Sequence, residues 1–216
     1  RTLESANFDR SVADYGKLPD AWRLSRKLLS EQEDASVTFV SAGYSTNLAR
    51  LLDSPADDYS PLTGKELVGK KVRQLVMVTN NSSKDNGTGS DIAAQDIPFV
   101  AKVLAEWPTD IVVSPAELGD KVLYYGENIR DIEWYNYAIP QKFINPVALG
   151  YRIFQRMPYN RPMWDPLAAI YAVEGEGELF NAGTCGTISI DGKGAPTFKE
   201  DPAGHHRVLR ASGQQA

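Results

Sequence analysis

The sequence predicts an α/β fold: a doubly wound, mostly parallel sheet that ends in a C-terminal β-hairpin. Three observations carry this expectation. β-rich apolar runs at Val37-Thr-Phe-Val40, Leu75-Val-Met-Val78 and Ile111-Val-Val113 each lead into a helical pattern, which is the βα unit of a parallel sheet. The third run is short and almost wholly apolar, as a strand covered on both faces must be. Near the end, Thr187-Ile-Ser-Ile190 runs into Asp191-Gly192, a strand entering a tight turn.

Taken in order, residues 1–19 show no clean period and read as an N-terminal arm. Residues 20–32 place Trp22, Leu24, Leu28 and Leu29 at amphipathic spacing and predict a helix. The strand over 37–43 ends in Gly43 and is followed by a helix over 46–52. Thr63-Gly-Lys-Glu66 has capping-box spacing and opens a short helix before the strand over 72–79. A polar loop, 80–89, precedes a helix over 97–107, a strand over 110–114 and a helix over 115–123. Residues 124–162 are dense in aromatic side chains, among them Trp134, Tyr135, Tyr151, Phe154 and Tyr159, with a helix over 146–156. That stretch is either a wall for a planar or sugar ligand or a small satellite core.

Asp165 stands before Pro166 and the apolar positions Leu167, Ile170 and Tyr171, so the spacing predicts a buried helix with Asp165 at its N-cap and Pro166 at its first position. A carboxylate held there serves as a cap, as a ligand, or as both. The hairpin is expected within 183–198, and residues 208–216 read as a polar tail. The α/β domain therefore covers 20–207, with 124–162 as a helical insertion and its N-terminal end incomplete. In such sheets ligands bind beyond the carboxyl ends of the strands, which puts the loops after Ala42, Val78 and Ser114 on one rim.

Composition narrows the function classes. Of 216 residues, 42% are hydrophobic and 24% charged, and mean hydropathy is -0.35, which fits a globular chain with a substantial core. No apolar run approaches the ~20 residues of a membrane span, so no membrane partner is expected. A net charge of -5 and a pI near 5.1 argue against a nucleic-acid partner. The basic cluster Lys70-Lys71-Val72-Arg73 reads as a solvated helix end. Cys185 is the one cysteine, which excludes an intrachain disulfide and a thiolate metal cage. His205 and His206 lie outside any apolar pattern and read as surface residues. The chain reads as soluble, and its compartment is left open between the cytoplasm and export with a signal removed.

Four segments together resemble the nucleoside hydrolase family, whose members cut the N-glycosidic bond of ribonucleosides with calcium. They are Val37-Thr-Phe-Val-Ser-Ala-Gly-Tyr-Ser-Thr-Asn-Leu-Ala49, Ser60-Pro-Leu-Thr-Gly-Lys-Glu-Leu-Val68, Asp96-Ile-Pro98 with Glu106-Trp-Pro-Thr-Asp-Ile-Val112, and Trp164-Asp-Pro-Leu-Ala168. They occur in the family's order and span residues 20–207. The resemblance implies a Rossmann-like core, a small-molecule nucleoside or sugar as ligand, and a homo-oligomer. It implies calcium held by Asp165 and by the backbone carbonyl of Ala42, with Asn80, Asp91 and Trp164 on the substrate side. Calcium suits this chemistry because it accepts many oxygen ligands and lowers the pKa of a bound water.

The chain also departs from the family pattern. The motif D-x-D-x-x-x-D-D, which supplies most of the family's metal ligands, has no counterpart. Asp53, Asp57 and Asp58 echo part of it, but they follow a helix and read as a solvated loop. Ser90 and Ile92 fall where the family places Glu-x-Asn, although a two-residue slip brings Asp91 to the acidic position. Trp164 replaces a histidine, and an indole stacks but delivers no proton at neutral pH. Weak or absent turnover by this chain alone is the expectation, with no catalytic residue assigned; a non-catalytic ligand- or partner-binding protein of the same fold is the alternative.

Overall fold

The structure, a computed structural model, describes residues 14–79, 91–129 and 146–212, with the backbone alone for residues 91–95 and 146. The described residues gather into two compact units, one of residues 19–121 and 164–212 and the other of residues 14–18, 122–129 and 146–163. The larger unit holds α1 (Ala21–Ser30), β1 (Val37–Ser41), α2 (Thr46–Asp53), α3 (Gly64–Lys71), β2 (Val72–Thr79), α4 (Asp91–Glu106), β3 (Asp110–Pro115) and α5 (Ala116–Lys121). The smaller holds β4 (Leu123–Tyr124), a single helical turn α6 (126–129), α7 (Pro146–Phe154) and β5 (Arg161–Pro162). The larger then resumes with α8 (Trp164–Glu174), β6 (Phe180–Asn181), β7 (Gly186–Ile190), β8 (Pro196–Glu200), β9 (His206–Val208) and β10 (Arg210–Ala211).

The central sheet has six strands in the order β1-β2-β3-β9-β7-β8. β1, β2, β3 and β9 run parallel, and β7 pairs antiparallel with both β9 and β8. The sheet is therefore mainly parallel with a C-terminal antiparallel strand pair, as the βα pattern and the Thr187–Ile190 run predict. Alternation along the strands feeds both faces. Leu75, Met77, Ile111 and Val113 enter the main core with Leu51, Leu67 and Trp107. Val76 and Val112 point the other way and are fully buried. α8, which buries Leu167, Ala168 and Tyr171, packs against β1, β2 and β3.

The capping box forms as its spacing predicts: Thr63 accepts the Glu66 N–H through its hydroxyl, and the Glu66 carboxylate accepts the Thr63 N–H at 2.8 Å. α1 forms too, but its inner face differs. Leu24 and Leu28 are exposed, whereas Arg26 is fully buried beside Leu29. A buried guanidinium must be paired and hydrogen-bonded. Arg26 donates to both carboxylate oxygens of Asp57 at 2.8 and 3.0 Å, to Ser54 Oγ at 2.9 Å and to the Leu62 carbonyl at 2.9 Å. This corrects the reading of the acidic run as solvated at Asp57, while Asp53 and Asp58 are exposed. Asp57 is the counter-ion of Arg26, which holds its carboxyl below the usual range, and Asp53 pairs with Lys102 at 2.8 Å.

Four further boundaries shift. α4 begins at Asp91, six residues before the expected start, and runs through Pro98; the good helix formers Ala93, Ala94 and Gln95 outweigh the proline as a start signal. β3 takes in Pro115, so α5 is a six-residue helix. The β7–β8 turn is a five-residue loop rather than a two-residue Asp-Gly turn. Asp191 closes it by accepting the N–H groups of Lys193 and Ala195 at 2.8 and 2.9 Å, with Gly194 at φ 85°. Within the stretch read as a tail, Leu209 is fully buried and β10 pairs with β6. His206 is likewise buried, in β9; only His205 is exposed.

In the smaller unit the Tyr151 and Tyr159 rings stack at 5.2 Å, Tyr159 donates to the Tyr151 carbonyl at 2.8 Å, and Arg161 lies over Phe154 at 4.6 Å. These contacts form a local aromatic cluster. Trp134, Tyr135, Tyr137 and Phe143 lie outside the described residues.

Candidate functional site

β2 and β3 end level with one another, Thr79 beside Pro115, and β1 ends two residues short of them, with Ser41 beside Met77. The segments leaving these strands therefore share the rim at their carboxyl ends. After β1, Ala42, Gly43 and Tyr44 are exposed, and the chain dives at Ser45, which is 1% exposed, to start α2. Ser45 makes no side-chain cap of its own. The cap comes from α4 instead. Asp96, itself 2% exposed, accepts the Ser45 N–H on one carboxylate oxygen and the Thr46 hydroxyl on the other, the latter at 2.7 Å. A carboxylate at a helix N-terminus meets unsatisfied N–H groups and the positive end of the dipole, so this contact fixes the 42–45 loop against α4.

α8 begins against α5, the helix that leaves the carboxyl end of β3. The helix begins at Trp164, so Asp165 sits in its first turn rather than at the N-cap. The first four N–H groups of a helix have no internal partner, so Pro166 is accommodated two residues inside the helix start, and an acidic residue in that turn is favoured by the dipole. Trp164 Nε1–H donates to Asp120 Oδ1 of α5 at 2.8 Å, which orients the indole. α5 and α8 approach closely at Gly119, where an added Cβ would lie 2.3 Å from Trp164 Cδ1 and 2.6 Å from its Cα. Asp165 is exposed at its edge, yet burial of its carboxyl raises its pKa.

Of the residues the sequence singles out, Ala42, Trp164 and Asp165 are described in full. Asp91 is the first residue of α4, with only its backbone described, and Asn80 lies outside the described residues. Ala42 follows the carboxyl end of β1, and Trp164 and Asp165 belong to a helix that packs against β1. Asp96 and Asp120 carry positioning contacts that the sequence does not announce. The one available sign is an aspartate set among Ala93, Ala94, Ile97 and Val100 of an apolar helix.

Chemically, these residues offer an oriented indole, one carboxyl whose pKa burial raises, and exposed residues in the 42–44 loop. Among the described residues no three His, Cys, Asp or Glu side chains gather as a metal-binding group. Calcium takes six to eight oxygens, and of the candidates described in full only Asp165 and the Ala42 carbonyl offer oxygen donors. The described residues do not fit that ion as a catalytic centre.

No protein-family model matches the chain, and no curated protein matches it in sequence. Among solved structures it is similar to the inosine-uridine preferring nucleoside hydrolase from Bacillus anthracis, with a TM-score of 0.58 and 21% identity over 89% of this chain and 60% of that one. It is also similar to the effector protein XOO4466, with a TM-score of 0.52 and 13% identity over 86% of this chain and 59% of that one. The chain thus spans about three-fifths of each of these structures. Likeness at these identities concerns the fold, and the fold of this chain is nucleoside hydrolase-like.

Proposed function

We propose that this chain is a nucleoside hydrolase-like protein whose rim binds a ribonucleoside or a sugar, with calcium-dependent N-glycosidic hydrolysis as the parent activity and weak or no turnover by this chain alone. The observation that carries the reading is the pairing of an oriented indole, Trp164, with an adjacent carboxylate, Asp165, at the mouth of a helix packed on β1, β2 and β3. Stacking on Trp164 suits a planar base. Asp165 and the loop at Ala42 suit the hydroxyls of a sugar. Loss of catalysis follows from the donor set, because one carboxylate and one carbonyl do not hold and activate a calcium-bound water. Trp164 supplies no proton for a departing base. Asn80 and Asp91 join the substrate side of this proposal. A homo-oligomer belongs to the family resemblance and remains part of the proposal.

Calorimetric titration with inosine, uridine and ribose, each with and without calcium, tests it. Binding is expected without calcium, weakened at least tenfold by Trp164→Ala and by Asp165→Ala, with no ribose released over hours. No heat with any of the three ligands would overturn the binding reading. Rapid ribose release would overturn the impaired-turnover reading.

A further inference from the structure

β7 and β9 meet in the register at a single residue pair, Gly186 with His206. Two residues further along β7, the Ile188 N–H would ordinarily seek a strand carbonyl. It donates instead to His206 Nδ1 at 2.8 Å, and this bond is buried. An imidazole side chain thus takes the place of a ladder bond where the antiparallel hairpin joins the parallel strands. Because Nδ1 accepts, the proton of the neutral ring is on Nε2. Nε2 has no hydrogen-bond partner of good geometry among the described residues, and His206 is 1% exposed.

We propose that His206 is an acid-released latch that fastens the β7–β8 hairpin to the parallel sheet. Protonation adds a solvent proton at Nδ1, the one lone pair left on the ring. The Ile188 N–H then faces another donor, and a cation is enclosed without a counter-ion. The hairpin must swing away for the ring to reach water. Among the described side chains, the charged and titratable groups of the surrounding elements are Arg207 on β9 with His205 just before it, Asp110 on β3, Asp96, Lys102 and Glu106 on α4, and Lys199 and Glu200 on β8. Of these only His205 acts on the imidazole, and it opposes protonation; the Leu104 carbonyl of α4 favours it weakly, and burial dominates, lowering the pKa to about 4. β1, β2 and β3 are joined to one another by parallel ladders that do not involve the ring. Release is therefore local to the hairpin.

Amide hydrogen exchange of the full chain between pH 7.5 and 4.5, corrected for intrinsic exchange, tests the latch. A ring that titrates near 6.5 when free and near 4 when latched makes the hairpin open about seventy-fold more at pH 4.5 than at pH 7.5, read as lost protection in β7 and β8. Protection in β1–β3 stays within about twofold. His206→Asn, whose Oδ1 accepts the Ile188 N–H but does not titrate, keeps the hairpin protected at both pH values. His205→Gln keeps the acid response. Should His206→Asn not fold, the 15N tautomer signals of the native histidines and the His205→Gln exchange decide. An Nδ1–H tautomer for His206, equal loss of protection across all strands, or an acid response that survives in His206→Asn would overturn the proposal.

Discussion

Buried polar side chains set the local architecture of this chain, and their cost is the most direct thing to measure. Arg26 is sealed inside with Asp57 as its counter-ion, so Asp57→Ala leaves an uncompensated buried cation and is expected to cost about 3–5 kcal/mol in urea unfolding. The acid limb carries the same signature. The Asp57 pKa is lowered in the folded chain, so its stabilisation is present above the unfolded value and lost as pH falls below about 4 through the folded one. Asp57→Asn flattens that limb. Asp96→Ala strands the buried Ser45 N–H and the Thr46 hydroxyl and is expected to cost about 2–4 kcal/mol, whereas Asp96→Asn, which keeps an acceptor, costs about half as much. None of these roles was legible in the sequence. Arg26 lies among exposed residues of an amphipathic helix, its partner is 31 positions away, and no local period encodes a long-range ion pair. Asp165 was legible because a cap, a proline and an apolar stripe are local signals. Its position within the first turn depends on how α8 meets α5.

Elements followed the local pattern where that pattern was strong. The strands β1, β2 and β3 and the Thr63–Glu66 capping box lie where apolar runs and cap spacing put them. The misses arose where tertiary contacts override local signals. β9 is a three-residue strand whose pairing with β3 comes from a partner nearly a hundred residues earlier. Such a strand is too short to show alternation. The α5–α8 contact gives a prediction for these two helices. Gly119→Ala forces a methyl against the Trp164 backbone, which cannot rotate away, so α8 must shift. The expected cost is about 1–3 kcal/mol, together with a change in Trp164 fluorescence as its bond to Asp120 is lost. An unchanged melting temperature and an unchanged spectrum would show that the two helices do not meet as described.

Across the whole molecule, the mainly parallel sheet and the order of its segments carry a nucleoside hydrolase-like fold, while among the described residues no three His, Cys, Asp or Glu side chains gather as a metal-binding group. The sequence announced both sides of this contrast, through the four resembling segments and the missing aspartate motif. It did not announce what positions the rim, because Asp96 and Asp120 act through contacts between elements. Calcium distinguishes the outcomes thermodynamically. A site occupied at a thousand times its dissociation constant adds about 4 kcal/mol to stability, whereas one that demands millimolar ion adds about 0.4 kcal/mol at 1 mM. The smaller shift is expected, read as a change of melting temperature on adding and then chelating 1 mM calcium. Binding at the rim without turnover is put to the sharpest test by a two-dimensional NMR titration of the labelled chain with uridine, in which the nucleoside signals are followed in the same tube. Shifts centred on residues 42–46, 80, 91 and 164–165 are expected, with the nucleoside intact after a day. Shifts elsewhere, or conversion of uridine to free base and ribose, would contradict that reading.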